Sequence, residues 1–365
     1  MADAINTLNI DSPFEMYRGG ALARAQVVYE TLGELNAKAD NGVLVFTGLS
    51  PSSHVASTVY DPRAGWWEDM VGPEKPIDTH RFFVICVNSI GSCFGSTGPA
   101  SDDPATGKPY ETSFPVLSIE DIAAAGNAVV ESMGIDSLAA VVGPSMGGMT
   151  ALAFALAYPD KVRNFASISS AARALPFAIA IRSLQREVIR SDPAWRDGNY
   201  GEDEPVLGMR LARKLGMLSY RSAHELQQRF GRERVSEERR KGDDFGTEFE
   251  VESYLEAHAE KFVGTFDANC YLYLSRAMDF FDAADHGGSL EAAFARISLQ
   301  RALVVGVRSD ILFPLAQQQE LAELLKPRAK SLDFHALDSI QGHDSFLVDM
   351  DRFRPVVAEF FNGLD

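Results

Sequence analysis

Three cysteines in 365 residues, Cys86, Cys93 and Cys270, are too few for a structural framework. Their number is odd and no Cys-x-x-Cys spacing occurs, so neither a disulfide scaffold nor a cysteine-ligated zinc site is expected. Free thiols suit a reducing compartment. The opening residues, Met1-Ala-Asp-Ala-Ile-Asn6, lack the basic stretch and apolar run of a signal peptide. No segment reaches the ~18 uninterrupted apolar residues of a membrane span. A cytoplasmic protein, off the membrane, is expected. Positive charge is also scarce: 34 Lys and Arg stand against 51 Asp and Glu, for a net charge of −17. That balance argues against a nucleic-acid surface. It leaves small substrates open, because a local pocket can stay positive in an acidic protein. Internal repeats and low-complexity tracts are missing as well.

What is present centres on Leu138-Ala-Ala-Val-Val-Gly-Pro-Ser-Met-Gly-Gly-Met-Thr-Ala-Leu152. Ala139 to Val142 reads as a buried strand, and Thr150 to Ala157 as a helix stopped by Tyr158-Pro159. Between them lies Gly-x-Ser-x-Gly, the nucleophile elbow of an α/β-hydrolase. The glycines permit the sharp turn. The turn lifts the Ser145 hydroxyl above the sheet and aims the N–H groups of a helix N-terminus at the reacting oxygen.

Taken in order, residues 1–12 read as a loosely held tail, and Phe14 to Leu32 as a hairpin of early strands around Gly19-Gly20. Val43 to Phe46 is a buried strand running into the loop Thr47-Gly-Leu-Ser-Pro-Ser-Ser-His54. Loops at the carboxyl ends of parallel strands are where α/β proteins place ligands. Arg81 to Asn88 is the next strand. Ser118 to Met133 is a helix with Ser118 as its N-cap. After Ala171 the pattern changes, and roughly 120 residues favour helix alone. Strands resume at Ala302 to Gly306, and Ser331 to Leu337 is the last strand. The expected architecture is an α/β-hydrolase fold, a mostly parallel sheet flanked by helices, over 1–172 and 295–365, with a helical lid domain inserted at 173–294.

A serine hydroxyl needs a general base and a group that orients the base. In this fold the order along the chain is Ser, acid, His. Among the histidines after the elbow, His343 follows the last strand, His335 lies inside it, and His224, His258 and His286 belong to the lid. His343 is therefore the expected base. Asp310, at the end of a strand, is the expected acid, ahead of Asp333 and Asp338. The oxyanion hole falls to the N–H groups of Met146 and Leu49.

These motifs, with Gly65-Trp-Trp, Gly95-Ser-Thr-Gly-Pro-Ala, Arg229-Phe-Gly-Arg, Phe266-Asp-Ala-Asn, Ser309-Asp-Ile-Leu-Phe-Pro and Gly342-His-Asp-Ser-Phe-Leu, make the chain resemble the homoserine/serine O-acyltransferase family along nearly its whole length. The resemblance implies transfer of an acyl group from acyl-CoA, as co-substrate, to an amino-acid hydroxyl, with no metal or bound cofactor. It implies a triad of Ser145, Asp310 and His343, with Arg213 for the amino acid's carboxylate and Asp344 for its ammonium. Many family members that use homoserine carry Leu-Thr-Gly-Asp-Ala-His after the early strand. Here the loop is Leu49-Ser-Pro-Ser-Ser-His54, similar to the serine O-succinyltransferase variant, so Pro51, Ser52, Ser53 and His54 are expected to select the acceptor. Arg182 falls where acetyl-transferring members usually have Asn, and is expected to hold a succinyl carboxylate. Serine O-succinylation is the leading expectation, homoserine acetylation or succinylation the next, and ester hydrolysis the alternative of another class. A homodimer paired through the lid is also expected.

Overall fold

The computed structural model describes residues 4–201, 203–240 and 244–364. Eight strands form one sheet: β1 (Ala4–Ile10), β2 (Ala25–Leu32), β3 (Gly42–Phe46), β4 (Phe83–Val87), β5 (Ala140–Pro144), β6 (Asn164–Ile168), β7 (Leu299–Val307) and β8 (Ala329–Leu337). Their spatial order is β1-β2-β4-β3-β5-β6-β7-β8. β2 runs antiparallel to both neighbours, and every pairing from β4 to β8 is parallel.

The central strands are apolar on both sides because both faces are covered. Leu44 and Phe46 of β3 join one core with α1 (Ile119–Ser132) and α2 (Met146–Ala157). Val43 and Val45, the alternate residues, join the other core. There they meet Trp67 and the aromatic side of the C-terminal helix, Phe353, Phe360 and Phe361. α1 opens on a capping box between Ser118 and Asp121, as its sequence signals.

The amino-terminal residues differ from expectation. Ala4–Ile10 is no loose tail but an edge strand paired with β2 in continuous register from Ala4↔Thr31 to Ile10↔Ala25. Its sequence, Ala-Ile-Asn-Thr-Leu-Asn-Ile, is half polar because an edge strand keeps contact with water. Leu8 and Ile10 still pack on the core.

Between β6 and β7 the described chain contains helices and no sheet strand. They are α3 (Pro176–Ser191), α4 (Val206–Tyr220), α5 (Ala223–Phe230), α6 (Glu250–Phe262), α7 (Ala268–Phe280) and the short α8 (Leu290–Phe294). α3 packs on α4 and α7. Its inward stripe is Ala178, Arg182, Gln185 and Ile189, with two polar residues where an ordinary amphipathic helix carries apolar ones. Its outward residues include Phe177 and Leu184, each more than half exposed.

Candidate active site

Four strand ends meet beneath these helices. Leu49 follows β3, Ser145 follows β5, Asp310 follows β7 and His343 follows β8. Ser145 holds φ 55° and ψ −124°, a strained conformation for a residue with a side chain. Close approach enforces it. A Cβ on Gly147 would lie 2.2 Å from the Phe46 carbonyl oxygen, and one on Gly143 would lie 2.2 Å from the Gly147 backbone. Only glycine lets the helix start this near the sheet. Met146 is the first residue of α2, where an N–H has no acceptor within its own helix.

His343 Nε2 lies 2.8 Å from Ser145 Oγ, and its Nδ1 lies 2.7 Å from Asp310 Oδ2. The other Asp310 oxygen accepts the N–H groups of Leu312 and Phe313 at 2.9 and 2.8 Å. Those two donors fix the carboxylate's direction. His343 stacks on Phe313 at 5.1 Å between ring centroids and meets Phe346 edge-on. Both Asp310 and His343 are buried. Burial alone pulls the imidazole pKa down, but the charge of Asp310 and its hydrogen bond outweigh that and leave it above the ordinary value. The base must be neutral to accept the Ser145 proton. We therefore expect the acid limb of kcat/KM to lie above the usual imidazole pKa of ~6.5, with activity falling as pH drops through it. A pH–rate profile of the free enzyme checks this; a limb below that value contradicts it.

Ser145 opens into a narrow cavity walled by Leu49, Arg182, Gln185, Tyr220 and Tyr271, among others. Burial pushes both tyrosine phenols up, so they stay neutral. Arg182 is 4% exposed. Its Nε donates to Asp279 Oδ1 at 2.7 Å, while Nη1 and Nη2 are buried without an acceptor among the described residues. The second Asp279 oxygen is taken by Arg186 Nη2 at 2.6 Å, and Arg186 Nη1 donates to Ser275. One buried carboxylate thus serves two guanidinium groups. A positive charge remains over, and its free fork belongs to a side chain that lines the cavity of Ser145.

Arg213 lies beside that cavity, with Cζ 4.6 Å from the Phe262 ring centroid and 5.8 Å from that of Tyr220. Its Nε is buried without an acceptor among the described residues. Asp344 is next in chain to His343 and pairs with Arg221 at 3.6 Å. Burial raises its carboxyl pKa, against the pull of Arg221, His343 and Arg213.

The loop after β3 meets the cavity at one residue and is tied down at its far end. It gives Leu49 to the cavity wall. Ser53 is buried, and Ser52 Oγ accepts the His54 N–H at 3.2 Å. Both His54 ring nitrogens are engaged, Nδ1 with Glu30 and Nε2 with the Arg63 carbonyl. The His54 side chain is thus an anchor of the loop. The reasoning from sequence also missed Asp279, Gln185 and Tyr271. A signal did exist for the first: two arginines a turn apart on a buried helix face require a carboxylate facing them.

The family model for the alpha/beta hydrolase fold matches residues 43–348. The chain is 58% identical to the serine O-succinyltransferase of Litchfieldella anticariensis over 362 residues, 99% of each chain. It is 57% identical to the L-serine/homoserine O-acetyltransferase of Streptomyces lavendulae, covering 97% of this chain and 96% of that one. The chain belongs to the serine and homoserine O-acyltransferase family. It is an acyltransferase. Among solved structures, the homoserine O-acetyltransferase of Bacillus anthracis superposes with a TM-score of 0.92 at 28% identity, covering 100% of this chain and 99% of that one. No described helix of this acyltransferase is long and apolar enough to cross a membrane.

Proposed function

We propose that this acyltransferase moves a succinyl group from succinyl-CoA to the hydroxyl of L-serine through a Ser145 acyl-enzyme. The observation that carries the donor choice is Arg182: a buried guanidinium with both Nη groups unpaired among the described residues, lining the cavity of the nucleophile. An unpaired buried charge is costly, and a carboxylate is the partner suited to a guanidinium fork. A succinyl group supplies one and an acetyl group does not.

His343 takes the Ser145 proton, and Ser145 Oγ attacks the thioester carbonyl. The N–H groups of Leu49 and Met146 hold the oxyanion. The tetrahedral intermediate collapses, His343 returns the proton, and the thiol leaves. Serine then enters with its carboxylate on Arg213 and its ammonium on Asp344. His343 removes the serine hydroxyl proton as that oxygen attacks the succinyl ester, and Ser145 leaves with the proton restored. These steps call on no metal or resident cofactor. The helices of 173–294 act as the lid that excludes water. Phe177 and Leu184 of α3, with Leu207, Leu211 and Leu218 of α4, are exposed on this lid, and burying them against a second copy supports a homodimer.

Arg182→Asn tests the donor. Losing a charge-assisted pair costs roughly 1.5–3 kcal/mol, so kcat/KM for succinyl-CoA should fall ~10-fold to ~100-fold. Acetyl-CoA should be used as well as before or better. Equal losses with both donors would make Arg182 a scaffold residue. A wild-type preference for acetyl-CoA would defeat the succinyl assignment.

A further inference from the structure

Glu30 and His54 form an ionisable pair that the mechanism does not use. Glu30, on β2, is 1% exposed. Its Oε2 accepts the Val55 N–H at 3.1 Å, and its Oε1 lies 3.1 Å from His54 Nδ1. On the far side of the ring, His54 Nε2 is 2.9 Å from the Arg63 carbonyl. A carbonyl only accepts, so Nε2 carries a proton. Nδ1 and the Glu30 carboxyl then share one further proton, as imidazolium and carboxylate or as their neutral forms. Asp61, 3.9 Å from Nδ1, is itself engaged by Arg63.

The backbone completes the clamp. Trp66 N–H donates to the His54 carbonyl at 3.1 Å, and Trp67 N–H to the Val55 carbonyl at 3.0 Å. The loop after β3 is thereby fixed at both ends. The parallel pairings of β3 hold one end, and Glu30 with the Gly65-Trp66-Trp67 backbone holds the other. Pro51 stiffens the span between them. Leu49 sits in that span and lines the cavity of Ser145.

We propose that Glu30 and His54 are positioning residues for acyl transfer, holding the loop so that the Leu49 N–H points at the developing oxyanion. This rests on the acyl-transfer reading of Ser145. Removing one oxyanion donor outright costs ~10²–10³ in kcat. A donor displaced by a loosened loop costs less, about 10-fold to 100-fold.

The test uses full-length Glu30→Leu and His54→Leu. Glu30→Leu keeps the approximate size of the side chain but removes both the acceptor for Val55 and the partner of His54 Nδ1. His54→Leu keeps the carboxyl, which can take up a proton, and carries the test if the first variant does not fold. Each is assayed with succinyl-CoA and L-serine, and for binding of a trifluoromethyl ketone analogue of the donor, which places an oxyanion on Ser145. The expected result is a 10-fold to 100-fold fall in kcat, a donor KM within about twofold of wild type, and ketone affinity weakened by the same factor as kcat. A purely structural role would leave kcat and ketone affinity untouched in the folded variants while lowering thermal stability, and that result overturns the proposal. A wild-type enzyme that binds the ketone but transfers no acyl group would overturn the acyl-transfer reading instead.

Discussion

Ser145→Ala removes acyl transfer, with a rate loss of ~10⁴–10⁶. No other hydroxyl can substitute. The elbow places the Ser145 Oγ 2.8 Å from His343 Nε2, at the N-terminus of α2. The variant should still fold, because alanine has the Cβ of serine and the two elbow glycines remain. Donor binding should survive too, since Arg182, Gln185 and Tyr220 are untouched. Thiol release from succinyl-CoA measures the loss, and calorimetric titration measures the retained binding. Turnover by the alanine variant within about tenfold of wild type would remove Ser145 from the chemistry.

Asp310→Asn should cost about as much, ~10⁴ in kcat. The reason is geometric. Asp310 Oδ1 accepts two backbone N–H groups, so the amide oxygen of an asparagine must occupy that position. Its NH₂ then faces His343 Nδ1, where the carboxylate accepted at 2.7 Å. The ring must present a lone pair at Nδ1 and place its proton on Nε2, where it cannot receive one from Ser145. The charge that raises the His343 pKa also disappears, so the residual activity should titrate at lower pH than wild type. An Asp310→Asn enzyme with wild-type rate and acid limb would contradict the assigned role.

How much of this was legible in the sequence depends on the range of the interaction. The elbow was legible because its demands are local: two glycines, a serine and a flanking strand and helix. The central strands were legible because parallel strands covered on both faces are apolar throughout, as in Val43 to Phe46. Ala4–Ile10 was not, because half of an edge strand's residues face water and its partner lies in another segment. His343 and Asp310 could be chosen because each follows a strand. What they touch could not, since Leu312 and Phe313 act through backbone N–H groups that any residue type would supply. Arg182 stood out through the resemblance, because acetyl-transferring members usually carry Asn there. The fact that gives it weight, one Asp279 shared with Arg186, depends on how α3 packs against α7. His54 is similar: its place in the loop pointed to a part in shaping the pocket, but not to the carboxylate 24 residues earlier that holds its ring.

The proposed reaction passes through a succinyl-enzyme at Ser145 that serine discharges. The most direct measurement mixes enzyme with succinyl-CoA alone, digests it and examines the peptide carrying Ser145 by mass spectrometry, before and after L-serine is added. The predicted result is a succinyl group on that peptide, lost on addition of serine far faster than in buffer, with O-succinylserine appearing in equal amount. A succinyl group on a different peptide, or one on Ser145 that serine does not discharge faster than water does, would contradict it.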